Sequence, residues 1–231
     1  MEQTSLNLVA IAIFVMTLSA LLGPVFNISP FIPATATLGI LGLATIDSFS
    51  WGGKGLTIFL DLFTPAKQRQ RIIHHEAGHF LAAYCLGIPI TGYSLSAWEA
   101  FQKKQPGLGG VQFDFELLSN QKTIKNTPLL IERTLTILMA GIAAETLIYN
   151  EVKGGEEDRQ NLRAIMKVVG IPDSLYQQKE KWALLQAKNL ITRNQIAYDG
   201  LVEMMENRAS VEACQGLIQE KLSQEIADSR L

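Results

Sequence analysis

The chain is short of histidine and cysteine, with three of the first and two of the second in 231 residues. The cysteines, Cys85 and Cys214, stand far apart without a Cys-x-x-Cys pair. Neither a disulfide framework nor a thiolate metal site is indicated, and both read as small buried hydrophobes in a reducing compartment. An excess of one charge is lacking too. Twenty Lys and Arg against twenty-two Asp and Glu leave a formal charge of −2, which supplies no general field for nucleic acid. A phosphate-binding loop is also missing. WGGKG at 51–55 lacks the G-x-x-x-x-G-K-[ST] spacing, nothing else in these residues supplies it, and no ATPase is therefore legible. Internal repeats, low-complexity tracts and like-charge blocks are absent. The length suits one ordinary domain with an appendage, or two very small domains.

What is plentiful is apolar sequence. Hydrophobic residues make up 48% of the chain and charged ones 18%, more apolar than a soluble domain of this size needs, and the excess lies at the front. From Leu8 to Ile46 no ionisable residue occurs, while Asn27, Ser29, Pro30 and Pro33 interrupt the run midway. Two spans joined by a tight turn are expected, about Leu6 to Pro24 and about Phe31 to Ile46, forming a transmembrane hairpin over 1–47. A cleaved signal peptide is the rival, but Glu2 and the want of Lys or Arg before the apolar run do not make a positive n-region. A soluble core hairpin is less suitable still, because Gly and Pro would weaken its helices without lipid to compel them. Lys54, Lys67, Arg69 and Arg71 follow the second span, so the positive-inside rule puts the bulk of the chain on the cytoplasmic or, in a plastid, the stromal side. Residues 48–64, with Phe49, Trp51, Phe59 and Phe63, read as an interfacial linker.

All three histidines fall in one run, HHEAGH, at 74–79. Thr64-Pro65 reads as an N-cap followed by proline at the first helical position, and apolar residues at helical spacing continue to Gly87-Ile88-Pro89. His75 and His79 are then about 400° of rotation apart on one helix, one turn apart on one face, where both imidazoles can reach the same ion. Glu76 follows the first of them and leans toward the open coordination position, as a general base on water would. His74 points off that face and suits a supporting or surface role. The pattern is that of a zinc peptidase, and it is incomplete, because catalytic zinc takes three protein ligands. No further histidine exists, and Cys85 lies about 600° beyond His79 on the helix. The residues leave Glu145, Glu156, Glu157 and Asp158 as candidates.

Three stretches resemble the C-terminal peptidase domain of the FtsH-type, membrane-anchored, ATP-dependent zinc proteases. RIIHHEAGHFLAAYCLG is similar to that family's metal helix. MAGIAAETLIYNEVKGGEED resembles its GGRAAEE segment and the glycine-rich turn that closes on a ligand aspartate. TGYSLSAWEAFQKKQPGLGGVQFDF is more loosely similar to its substrate-side strands. The resemblance covers roughly residues 65–170. It implies zinc as cofactor, His75, His79 and Asp158 as ligands, and Glu145 as a carboxylate orienting the site from behind. Ile142 stands where the family has Arg, Thr146 replaces the second acid, Glu157 replaces the Asn before the ligand, and the ATP-binding module has no counterpart. The resemblance therefore carries over neither ATP dependence nor a hexameric motor.

Around this centre, Gly92–Ala97 and Gly110–Phe115 alternate and suggest a small β-hairpin beside the site. Thr127-Pro128 starts a long helix through Tyr149 whose AGIAA run permits close packing on the metal helix. Asp158 is expected to open a further helix to about Val169, and two amphipathic helices interrupted near residues 207–210 fill the rest. The expected architecture is mainly α: the hairpin, the linker and a helical metallopeptidase domain over 65–231.

The leading functional expectation is a membrane-bound zinc metallopeptidase acting on flexible or unfolded protein segments, alone or beside a separate AAA ATPase or FtsH-type subunit. The alternative is a protease-derived scaffold that stabilises or assembles a membrane complex. Partners expected are protein substrates and membrane lipid, with no nucleic acid and with oligomers allowed. A motorless chain of this type resembles proteins of photosynthetic organisms, which suggests a cyanobacterial or plastid thylakoid membrane.

Overall fold

The computed structural model describes residues 2–26, 29, 31–51, 55, 64–105, 109–114 and 128–228. It divides into two compact units, Met1–Leu62 and Phe63–Leu231.

The first unit holds α1 (Glu2–Leu22), a 3-10 turn (Gly23–Phe26) and α2 (Phe31–Trp51). Pro33 sits in the first turn of α2, where its missing N–H leaves no helical bond unmade. The helix runs five residues past Ile46 to Trp51. Among the described residues no helix is long and apolar enough to cross a membrane. The linker expected at 48–64 lies largely outside the described residues.

The second unit is mainly α, as its apolar periodicities require, with one two-stranded sheet. Its metal helix is α3 (Ala66–Cys85). Pro65 is the cap residue itself, extended at φ −60° and ψ 148°, and not the first helical residue. Strand β1 (Ile90–Ser94) pairs antiparallel with β2 (Gly110–Phe113), setting Tyr93 opposite Val111 and Ser94 opposite Gly110. The expected strand to Ala97 stops short. Ser96 instead caps a short helix, α4 (Ala97–Gln102): Ser96 Oγ accepts from the Glu99 N–H at 3.0 Å, and the Glu99 carboxylate reaches back past the cap to accept from the Leu95 N–H at 2.9 Å.

Helix α5 (Pro128–Tyr149) is the centre of the unit, with every residue from Thr134 to Glu145 buried. It lies close against α3 because Gly78 has no side chain: a Cβ there would stand 2.5 Å from the Ala140 carbonyl oxygen. Helix α6 (Glu156–Val169) begins two residues before Asp158, since Gly155 takes a left-handed cap at φ 83°. The tail is three helices, not two: α7 (Tyr176–Arg193), α8 (Gln195–Glu206) and α9 (Val211–Asp228). The unexpected break is Asn194, whose side-chain amide donates to the Leu190 carbonyl at 2.7 Å and competes with helix continuation. One buried cluster gathers Phe80 and Leu81 of α3 with Tyr198, Leu201 and Ile218 of α8 and α9. A second joins Leu135, Met139 and Ile142 of α5 to Leu162 and Met166 of α6. Helix α5 contributes to both clusters, so the helices that carry His75, His79 and Asp158 are held on one backbone.

Candidate metal centre

His75 and His79 project from α3 one turn apart, with ring centroids 4.8 Å from each other. Asp158, in the first turn of α6, reaches the same point. Its Oδ2 is 3.0 Å from His75 Nε2 and its Oδ1 3.4 Å from His79 Nε2, while the two Nε2 atoms are 3.1 Å apart. Of the four acids left open by the residues alone, Asp158 is the one that groups with both imidazoles.

The outer ring nitrogens settle which way each imidazole faces. Glu145 can only accept, so His75 Nδ1 donates to its Oε1 at 2.9 Å, and His79 Nδ1 donates to the Ile137 carbonyl at 2.7 Å. Both Nε2 atoms then face one another and a carboxylate, an arrangement that takes a cation between them or, without one, protons on the imidazoles. The protonation equilibria carry the same message. Burial opposes charge on His75, but hydrogen bonds with Asp158 and Glu145 outweigh it and push the imidazole up to about 10. Burial likewise opposes charge on His79, and Asp158 overrides it upward. Burial would raise Asp158 and Glu145, yet the facing histidines hold Asp158 well below the usual carboxylate range, and His75 with the Lys153 N–H brings Glu145 down to about 2. Backbone space is reserved as well, since a Cβ on Gly141 would lie 2.5 Å from His79 Nε2 and overlap the His75 ring. His75, His79 and Asp158 could hold a metal ion, and two imidazoles with one carboxylate are a donor set that suits zinc.

Glu76 stands beside this point with Oε2 accepting from the Val111 N–H of β2 at 2.9 Å. The metal-facing atoms open on a cleft of about 380 Å³, walled by residues 109–113 on one side and by Glu157, Asp158 and Asn161 on the other. Phe113, Leu138 and Asn161 are shared with an apolar cavity of about 240 Å³. Cys85 is off the site, and burial pushes its thiol up to about 11. Glu156 is exposed at the start of α6. His74 packs away from the metal face between Tyr149 and Tyr198. The Tyr198 hydroxyl donates to the His74 carbonyl at 2.9 Å, so His74 Nδ1, at 3.2 Å, is the donor to that hydroxyl.

Sequence reasoning missed Gly141, Val111 and Arg71. Gly141 sits in the AGIAA run, but only the helix pairing shows that its hydrogen faces the imidazoles. Val111 lies on a strand end with no chemical mark. Arg71 counted only as one of several flanking charges, although it is buried against Glu145 at 3.3 Å. A scan against models of protein families finds no match to this chain, and a search of curated proteins finds none.

Proposed function

We propose that the chain is a membrane-anchored zinc metallopeptidase that hydrolyses peptide bonds in flexible or unfolded protein segments. The observation that carries the reading is the meeting of His75, His79 and Asp158 at one point beside Glu76, at the mouth of a cleft with a strand along its wall. When bound, zinc would supply a Lewis acid that polarises the scissile carbonyl and acidifies water. The chain's own residues do the rest. Glu76 takes a proton from water and returns it to the leaving amine, with one carboxylate oxygen held by the Val111 N–H and the carboxylate lining the cleft. Glu145 and the Ile137 carbonyl keep the imidazoles turned toward the ion. Strand β2 forms one wall of the cleft, and an extended peptide would lie along it. Such a site takes chain that is already unfolded, or chain delivered by a separate ATPase.

The anchor is supported by the uncharged run from Leu8 to Ile46 and by exposed Ile11, Phe14, Val15 and Leu21 on α1 and Phe31, Ile32 and Leu38 on α2. The charge placement fits a second unit on the cytoplasmic or stromal side, and the resemblance to motorless proteins of photosynthetic organisms favours a cyanobacterial or thylakoid membrane.

One observation favours a second reading, a protease-derived scaffold: Glu76 is already engaged by β2. Zinc content and casein cleavage separate the two. Purified wild type should contain about one zinc per chain and cleave unfolded casein, while Glu76→Gln should keep the zinc and lose at least about 100-fold in rate. Zinc-loaded wild type as inert as the variant would favour the scaffold.

A further inference from the structure

We propose that Arg71 is a positioning residue of the metal centre, acting on both ligand-bearing helices through Glu145 and the turn at 150–155. The inference rests on the metal-centre reading above.

Arg71 precedes His75 by one helical turn on α3, so both side chains leave the same face and meet the same acceptor. The Glu145 carboxylate is shared evenly. Its Oε1 takes His75 Nδ1–H at 2.9 Å and the Gly154 N–H at 3.2 Å, and its Oε2 takes Arg71 Nε–H at 3.3 Å and the Lys153 N–H at 2.9 Å. The other arm of the guanidinium donates to the Glu151 carbonyl at 2.6 Å, and the group lies 4.4 Å over the Tyr149 ring. Arg71 is 5% exposed and Glu145 3%, so water does not replace these bonds when one is lost.

The consequence is geometric. Through Glu145 the guanidinium restrains the plane of the His75 ring. Through Glu151 it restrains the turn that leads into α6 and so sets where Asp158 stands. One side chain thus fixes two ligands, on different helices, that lie 83 positions apart in the sequence. Lysine would keep the charge but could not make both bonds and lie flat on Tyr149, because those tasks need the planar fork.

The test is metal binding by the full-length chain in detergent, read by zinc competition with a chromophoric chelator and by the visible spectrum of the cobalt(II)-loaded protein. Arg71→Met should weaken zinc binding by at least about tenfold and change the cobalt band positions and intensities, as loss of support behind a ligand does. Arg71→Lys should fall between Met and wild type. Ile218→Ala, in the fully buried core on α9, serves as the comparison: it should lower the melting temperature and leave zinc affinity and the cobalt spectrum as in wild type. If Arg71→Met does not fold, Arg71→Lys alone decides. Arg71 variants with wild-type zinc affinity and cobalt spectrum, differing only in melting temperature, would make Arg71 a stabilising residue and overturn the proposal. Wild type that binds no zinc would instead fail the metal-centre reading itself.

Discussion

Asp158 enters the site from 83 residues beyond His75 and makes the charge balance there. If it ligates, Asp158→Asn should lower zinc affinity by at least about tenfold, and Glu145→Gln, one bond further back, should do less, as competition with a chelator would read. Equal affinity for Asp158→Asn and wild type would remove it from the ligand set. The metal-free protein should show the site's charges in its pH dependence. His75, with burial overridden by Asp158 and Glu145, stands at about 10 in the folded chain against an ordinary 6.5. Its contribution to stability is therefore complete below about pH 6.5 and is lost as the pH rises toward 10. Asp158 and Glu145 are depressed from 3.8 and 4.5, so their contribution is present above about pH 4.5 and is lost on further acidification. Thermal scans in chelator should place the highest melting temperature at about pH 5–6 and a lower one at pH 9, a fall that His75→Gln should flatten. Excess zinc should reverse the alkaline fall, because neutral imidazoles bind metal.

The helices were legible as elements because their apolar residues recur at 3.6-residue spacing, and α3, α5 and α6 stand within a few residues of expectation. The differences lie where local hydrogen bonding competes with periodicity. Alternation around Gly92–Ala97 suggested strand throughout, yet the Ser96 cap and the Glu99 carboxylate on the Leu95 N–H turned its end into α4. Ser96→Ala should cost about 0.5–2 kcal/mol of unfolding free energy, measurable in urea titrations. A cost near zero would mean that α4 is held by packing alone. Asn194 likewise divides one predicted helix into α7 and α8 with a single side-chain bond to a carbonyl.

At the scale of the molecule the chain forms two compact units. The anchor proposal expects the full-length chain to stay with membranes through alkaline carbonate extraction, and complete release into the carbonate wash would sink it. In the second unit, α5 is buried over most of its length and brings α3 and α6 to one point, so the ligands gather only when both core clusters close. The sequence alone determined that His75 and His79 share one helix face with Glu76 beside them, because i and i+4 on a helix is a local relation that tertiary contacts need not supply. It also determined the mainly helical class, through periodicity. Only the tertiary structure decided that Asp158, among four candidate acids, meets the imidazoles, that Gly141 leaves them room, and that Arg71 is buried behind them. Those are relations between side chains far apart in the chain, set by how α3, α5 and α6 pack, and no local spacing encodes them.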